Sequence, residues 1–164
     1  MLEFPLIREI VAYSRERHGR SVQFRMSTNG TLVDREFLEF CRDHEMFFVL
    51  SIDGDRAQHD RIRRFADGGG SYGRIAERVS GILKFNPYTI AVSVIVPETV
   101  PFVAGGARHL FDIGFRYILQ TLDYSAPWRS ADLRGLKKQY ASLSRFRAQE
   151  HPYELTTHFR ISYA

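Results

Sequence analysis

The amino-acid sequence predicts an α/β fold in which about four parallel strands form a sheet with helices outside it. Short apolar runs alternate with segments of helical period. Each connection between the runs is long enough to hold a helix, and strands joined in this way are parallel. Of the 164 residues, 44% are hydrophobic and 26% are charged, which is typical of a globular protein that buries a core.

The N-terminal half predicts two helix–strand pairs. Residues 4–18 carry apolar side chains at helical spacing, with a proline in the first turn and Gly19 at the end. Alternation over residues 21–27 predicts a strand. A helix over residues 34–44 follows, and the aromatic-rich apolar run over 46–52 predicts a buried strand.

The rest of the chain continues the alternation. Its run over residues 88–96 is almost uniformly β-branched, so this strand is expected to be buried on both faces. The elements predicted after residue 52 are a polar loop over 53–70, a helix over 71–85, strands over 88–96 and 115–122, helices over 107–113 and 130–149, and an alternating segment over 153–164.

Composition narrows the function classes. The net charge of +4 favours anionic partners, but the arginines are scattered, so nucleic-acid binding ranks last. No apolar run reaches the roughly 20 residues that span a bilayer, and residues 1–6 do not form a leader, so a cytoplasmic location is expected. Cys41 is the single cysteine, which excludes an internal disulfide and a cysteine-ligated cluster within this sequence.

Polar side chains follow two neighbouring predicted strands. Ser51 and Asp53 come at the end of one strand, and Thr28 and Asn29 come at the end of the strand before it. The carboxyl ends of parallel strands meet at one edge of the sheet, where ligands bind in such folds. Arg63 can reach back to this edge with a planar donor fork suited to a carboxylate. Ordinary turn chemistry is the alternative explanation for the Thr28-Asn29 pair.

The same stretch carries a family resemblance. Ser-Ile-Asp-Gly at 51–54, His59-Asp60, Arg63 and the aromatic- and glycine-rich run at 65–72, with Thr-Asn-Gly-Thr at 28–31, resemble radical SAM enzymes of the peptide-maturase and sulfatase-maturase type. Such enzymes often carry a C-terminal SPASM extension. The ordered motifs cover roughly residues 4–122. The Cys-x3-Cys-x2-Cys and Gly-Gly-Glu motifs of the family are absent from this sequence.

The resemblance implies a fold and a domain division. The family fold is a partial (β/α)6 barrel, of which this chain would supply the last four strands. Residues 1–124 would form the partial barrel domain. Residues 125–164 would be a helical extension leading towards a SPASM-type region.

The resemblance also implies a cofactor site. The positions matching Ser51 and Arg63 contact the methionine carboxylate or ribose of S-adenosylmethionine (SAM), and Asp53 belongs to the same edge. The Thr28 and Asn29 positions line the site near SAM and substrate. Further candidates, for the adenine side, are Leu119 and Gln120. The 4Fe-4S cluster of the full-length family has no ligands in this sequence, and no catalytic or metal-binding residue is assigned.

Two further motifs favour structural roles. Residues 68–73 match G-x-G-x-x-G, but a dinucleotide fingerprint must follow its strand directly, so a flexible loop and helix start are predicted. Adjacent residues seldom face the same way, so His59 and Asp60 are expected to make structural hydrogen bonds rather than perform acid–base catalysis.

Two hypotheses of function follow. The first is that the chain is part of a radical SAM enzyme that modifies a peptide or protein through a 5′-deoxyadenosyl radical. The chain would then be a truncated, mis-started or split form of that enzyme. By itself it would be inactive in reductive SAM cleavage. The alternative is a non-catalytic SAM- or peptide-binding remnant of that fold. Because the first predicted strand would leave an uncovered sheet edge, self-association is also expected.

Overall fold

The computed structural model describes residues 3–150, with the backbone alone for residues 147–150. Helices and strands alternate along this range. They are α1 (Phe4–His18), β1 (Arg25–Thr28), α2 (Arg35–Asp43), β2 (Phe47–Ser51), α3 (Arg56–Ile62), α4 (Tyr72–Phe85), β3 (Ile90–Ile95), α5 (Val103–Asp112), β4 (Tyr117–Leu122) and α6 (Ser130–Glu150). The predicted segment at 153–164 lies outside the described residues.

The four strands form one parallel sheet in the order β1-β2-β3-β4. Thr28 lies opposite Leu50, Leu50 lies opposite Ala91, and Ala91 lies opposite Ile118. The sequence-based prediction of an α/β fold with four parallel strands is therefore confirmed. The register brings the carboxyl ends of all four strands to one edge, which we call the carboxyl edge.

Helices cover one face of the sheet. Phe48, Leu50, Ala91 and Ile118 are buried in one hydrophobic cluster with side chains of α2, α4 and α5. The opposite face, which we call the open face, contributes no side chain to the core clusters formed by residues 3–150. Its half-buried members are Phe47, Val49, Ser51, Ile90, Val92, Val94, Tyr117, Leu119 and Thr121.

The expectation that β3 is buried on both faces is wrong. Ile90, Val92 and Val94 are only half-buried, whereas Ala91, Ser93 and Ile95 are buried. Alternate side chains of a strand point to opposite faces, and helices cover only one face here. A uniformly β-branched run therefore did not distinguish a covered face from an open one.

The predicted polar loop at 53–70 contains a helix and a hairpin. Helix α3 begins where the Asp55 carboxylate accepts a hydrogen bond from Gln58 N–H at 2.9 Å. This helix escaped prediction because its buried side chains, Gln58 and His59, are polar. The glycine-rich run is an ordered turn, since Arg64 and Gly70 form an antiparallel bridge. The prediction of a flexible loop there is replaced by a hairpin with defined hydrogen bonds.

Two other boundaries differ from the prediction. Strand β1 begins at Arg25 rather than at 21, because Gly19–Ser21 form a 3-10 turn. The guanidinium of Arg15 holds this turn by donating to the Gly19 and Val22 carbonyls at 3.0 and 2.8 Å. Helix α5 begins at Val103, before Gly105 and Gly106, which did not prevent helix formation.

The last helix packs on the same body as the sheet. Leu136 of α6 lies in a buried cluster with Ile95 of β3 and Val103 of α5. Within residues 3–150, no helix combines the length and hydrophobicity needed to cross a bilayer.

Candidate functional site

Asp53 links two strands at the carboxyl edge. It lies two residues beyond the end of β2, and its side chain is fully buried. Its Oδ1 accepts a hydrogen bond from Val94 N–H of β3 at 2.7 Å, and its carbonyl accepts one from Ser93 Oγ at 3.2 Å. The carboxylate thus continues the hydrogen bonding between β2 and β3 past the last residue of β2.

Arg63 pairs with this carboxylate. Its Nε donates to Asp53 Oδ2, and its Nη2 lies 3.4 Å from Asp53 Oδ1. The Arg63 side chain is 28% exposed, whereas that of Asp53 is 0% exposed. Among the described residues, Nη1 of Arg63 makes no hydrogen bond. The guanidinium therefore contacts Asp53 through Nε and Nη2, and Nη1 remains as a donor for another group. This arrangement matches the sequence-based expectation that Arg63 reaches back to a carboxylate.

A buried histidine connects the two ends of the segment that carries this pair. The Nδ1 atom of His59 accepts a hydrogen bond from Asp53 N–H at 3.2 Å, and its Nε2 lies 2.9 Å from Ser71 Oγ. Ser71 Oγ in turn donates to the Arg63 carbonyl at 3.0 Å. With the Arg63–Asp53 pair these contacts close a ring of four hydrogen bonds, which we call the His59 ring.

The His59 imidazole is neutral in this ring. Burial is the largest influence on its pKa and lowers it below the ordinary 6.5. Because Nδ1 accepts the Asp53 N–H, the ring proton is assigned to Nε2, which donates to Ser71. The expected structural hydrogen-bonding role of His59 is thereby confirmed.

A second set of contacts joins α3, α4 and α5 next to the ring. Asp60 Oδ1 accepts a hydrogen bond from Tyr72 N–H at 2.9 Å, so the start of α4 is fixed to α3. A Cβ atom at Gly70 would lie 2.2 Å from Asp60 Oδ2, so only glycine fits beside this carboxylate. The Tyr72 hydroxyl hydrogen-bonds to His109 Nε2 of α5. Asp60 therefore also has the structural role expected for it.

The side chains of Thr28 and Asn29, at the end of β1, make hydrogen bonds within the turn that follows the strand. Thr28 Oγ1 accepts a hydrogen bond from Gly30 N–H at 3.1 Å. Asn29 Oδ1 accepts from Thr31 N–H at 3.2 Å and from Thr31 Oγ1 at 3.0 Å. These bonds are those of turn residues. Since Thr28 pairs with Leu50, Asn29 follows at the level of Ser51 on the neighbouring strand.

Ser51 and Gln120 lie on opposite faces of the sheet. Ser51 is half-buried on the open face, opposite Val92, which in turn lies opposite Leu119. Gln120 lies opposite the buried Ser93 on the helix-covered face and is itself buried. The structure thus places Ser51, Asp53 and Arg63 at the carboxyl edge, and it places Leu119 on the same open face as Ser51. It does not bring Gln120 to that face.

Sequence reasoning missed Ser71 and the backbone N–H of Val94 as parts of the site. The sequence does mark Ser71, because a hydroxyl residue stands directly before a helical period, but this pattern predicts only the start of α4. Nothing in the sequence marks Val94, because every residue other than proline has a backbone N–H.

Comparisons with known proteins find sequence similarity over parts of the chain. No family model matches the chain. A segment of 56 residues is 41% identical to Fe-coproporphyrin III synthase of Methanosarcina barkeri, covering 34% of this chain and 13% of that protein. Another of 77 residues is 30% identical to a serine-type anaerobic sulfatase-maturating enzyme of Bacteroides thetaiotaomicron, covering 47% of this chain and 19% of that enzyme.

Solved structures share the fold. Native anSMEcpe with bound AdoMet superposes with a TM-score of 0.74 at 18% identity, covering 91% of this chain and 43% of that one. The same protein with bound AdoMet and a Cp18Cys peptide gives a TM-score of 0.70, also at 18% identity, covering 86% of this chain and 42% of that one. The chain therefore spans less than half the length of the proteins that it matches. A part of the chain is similar in sequence to anaerobic sulfatase-maturating enzymes, and the chain has the α/β fold of the solved structures that it matches.

Proposed function

We propose that this chain forms the SAM-facing and substrate-facing part of a radical SAM enzyme that modifies a peptide or protein. The observation that supports this most directly is the position of Ser51 and Arg63 at the carboxyl edge, in a fold shared with structures that hold AdoMet. Ligands of parallel α/β sheets bind at this edge. A related structure with a bound peptide supports a peptide or protein as the substrate class.

The residues at the edge fit SAM. The unpaired Nη1 of Arg63 and the Ser51 hydroxyl are donors for a carboxylate. Val92 and Leu119 give an apolar, half-buried surface beside them, suited to the flat face of an adenine. Asp53 holds Arg63 and is too deeply buried to serve as a ligand itself.

The residues of this chain do not fit the iron–sulfur cluster. Such a cluster needs several cysteine thiolates, and Cys41 is the single cysteine in the sequence. Cys41 is buried on the helix-covered side, and burial raises the pKa of its thiol to about 12, so the thiol stays protonated. In the family the cluster supplies the electron that cleaves SAM, and no step of that chemistry is assigned to residues here.

A calorimetric titration of SAM into the purified chain tests the binding half of the proposal. We expect saturable binding, weakened about tenfold in Ser51→Ala because a hydrogen bond to a charged group is lost. Ser80→Ala, on the exposed side of α4, is the matched control and should bind like the unchanged protein. Absence of binding by the unchanged protein, or equal affinity in both variants, would contradict the assignment of Ser51.

The alternative is a non-catalytic remnant of the same fold that binds SAM or a peptide without turnover. Reconstitution of the chain with iron and sulfide tests whether it cleaves SAM reductively or only binds it. We expect no 5′-deoxyadenosine, because the chain lacks the cysteine thiolates that a cluster needs. The DNA before the Met1 codon distinguishes the two hypotheses. An in-frame Cys-x3-Cys-x2-Cys favours the enzyme, and a close stop codon favours the remnant.

A further inference from the structure

We propose that His59 is a positioning residue that acts through Ser71: it determines where the Arg63 guanidinium stands at the carboxyl edge, and with it the affinity for a carboxylate ligand. The effect on ligand affinity rests on the proposed function. The effect on Arg63 itself does not, because it follows from contacts within the chain.

The first argument is the direction of the hydrogen bonds in the His59 ring. Asp53 N–H donates to His59, His59 donates to Ser71, Ser71 donates to the Arg63 carbonyl, and Arg63 donates to the Asp53 carboxylate. Each acceptor in this ring thus has one donor from the ring. The backbone carbonyl and the side chain of the same residue, Arg63, are therefore both held by hydrogen bonds of the ring.

The second argument is the place of His59 in the chain. Arg63 lies ten positions after Asp53 and eight positions before Ser71 in the sequence. His59 is fully buried between them and contacts both ends of the segment. Without the imidazole, Asp53 N–H and Ser71 Oγ lose their common partner, so the side-chain link between the two ends of the segment that carries Arg63 is broken.

The third argument concerns protonation. The charged or titratable groups that face His59 are Asp53 after β2, Asp60 of α3, Arg63 after α3 and Tyr72 of α4. A proton on Nδ1 would remove the acceptor for Asp53 N–H. It would also place a new donor 3.5 Å from Asp53 Oδ2, the oxygen that Arg63 Nε uses. Protonated His59 therefore competes with Arg63 for the same carboxylate oxygen.

Two conservative variants test the two hydrogen bonds of His59 separately. In His59→Gln the amide nitrogen stands near the Nε2 position and keeps the donor for Ser71. In His59→Asn the amide oxygen stands near the Nδ1 position and keeps the acceptor for Asp53 N–H. If the path through Ser71 positions Arg63, His59→Gln retains the position of Arg63 and His59→Asn loses it. His109→Gln, which changes the partner of the Tyr72 hydroxyl and no hydrogen bond of the ring, is the matched control.

The primary readout is the Arg63 Nε–H resonance in nitrogen-15 NMR, assigned by its loss in Arg63→Lys. We expect slow exchange in the unchanged protein, His59→Gln and His109→Gln, and at least about tenfold faster exchange in His59→Asn. SAM titration of the same four proteins should give the same order of affinities. Equal exchange rates in the two His59 variants, or faster exchange in His59→Gln than in His59→Asn, would overturn the proposal.

A pH titration of the unchanged protein keeps the test independent of whether the variants fold. The Arg63 Nε shift should move with the same midpoint as the His59 imidazole, below pH 6.5. An Arg63 shift that stays constant while His59 titrates would overturn the proposal. If Arg63 follows His59 but SAM does not bind, the proposed function fails and the positioning role stands.

Discussion

The backbone N–H of Val94 donates to Asp53 Oδ1 at 2.7 Å, so a carboxylate beyond the end of β2 serves as the partner that β3 would otherwise find in a longer strand. The same carboxylate receives the Arg63 guanidinium. One buried side chain therefore fixes both the edge of the sheet and the cation exposed there.

Replacing Asp53 by Asn should separate these two tasks. The amide oxygen still accepts from Val94 N–H, but Arg63 loses its counter-charge. Removing one partner of a largely buried pair leaves an uncompensated charge, so we expect a loss of about 2–4 kcal/mol in the free energy of unfolding. Urea denaturation measures this loss. Asp112→Asn, on the exposed side of α5, should stay within about 0.5 kcal/mol, and an equally small change in Asp53→Asn would contradict the role of the pair.

Stability should decline on acidification because of His59. Its pKa in the folded protein lies below the ordinary 6.5, so below pH 6.5 the unfolded chain binds more protons than the folded one. The contribution of neutral His59 is thus complete above pH 6.5 and is lost as the pH falls through the folded-state pKa. Urea midpoints between about pH 8 and about pH 5 measure the decline. His59→Gln should flatten it, and an identical slope in that variant would assign the decline to other groups.

Two glycine-to-alanine substitutions should have opposite effects. At Gly70 a Cβ atom would lie 2.2 Å from Asp60 Oδ2, a carboxylate held in place by Tyr72 N–H. We expect Gly70→Ala to lower the free energy of unfolding by about 1–3 kcal/mol. Gly81 lies in α4 with nothing within 4 Å of its Cβ position, so Gly81→Ala should raise it by about 0.5–1 kcal/mol. Thermal denaturation compares the two, and a loss of similar size in both would contradict the steric explanation.

Glu45 occupies a backbone conformation that favours glycine. Its φ is +54°, just after α2 ends, where the left-handed region is usually taken by glycine. Its ion pair with Arg20 is largely exposed and contributes little. Glu45→Gly should therefore raise the free energy of unfolding by about 0.5–1 kcal/mol, measured by urea denaturation. Glu45→Ala loses the ion pair without gaining the conformational freedom, and it should not be stabilised.

The expected self-association concerns β1 and α1. Strand β1 is at the edge of the sheet within the described residues, and Leu6, Ile10 and Tyr13 form an exposed apolar stripe on α1. Uncovered edges and apolar stripes promote pairing of chains. Sedimentation velocity at tens of micromolar should show a dimer for the 164-residue chain, reduced by Ile10→Lys. Lys84→Glu, at an exposed position of α4, changes a charge away from β1 and α1 and should leave the association unchanged. A monomer at all concentrations would contradict the expectation.

The alternation of apolar periods predicted about four strands and their parallel direction. The runs at 46–52 and 88–96 were long and apolar enough to specify strands, and the connections between them allowed only parallel pairing. The motif at 51–54 also placed Ser51 and Asp53 at the carboxyl edge, because a strand end is visible where apolar residues give way to polar ones.

Only the tertiary structure shows which hydrogen bonds these residues make and which face of the sheet they occupy. Helix α3 depends on the burial of Gln58 and His59, which polar residue types do not reveal. Ser71 joins the His59 ring from twelve residues away from the imidazole, through a hydrogen bond that no local pattern encodes. Gln120 and Leu119 are neighbours in the sequence but point to opposite faces of β4. Residue types and periods predicted the strands and the helices with an apolar face, whereas α3 and the distribution of buried hydrogen bonds depend on contacts between segments that are distant in the chain.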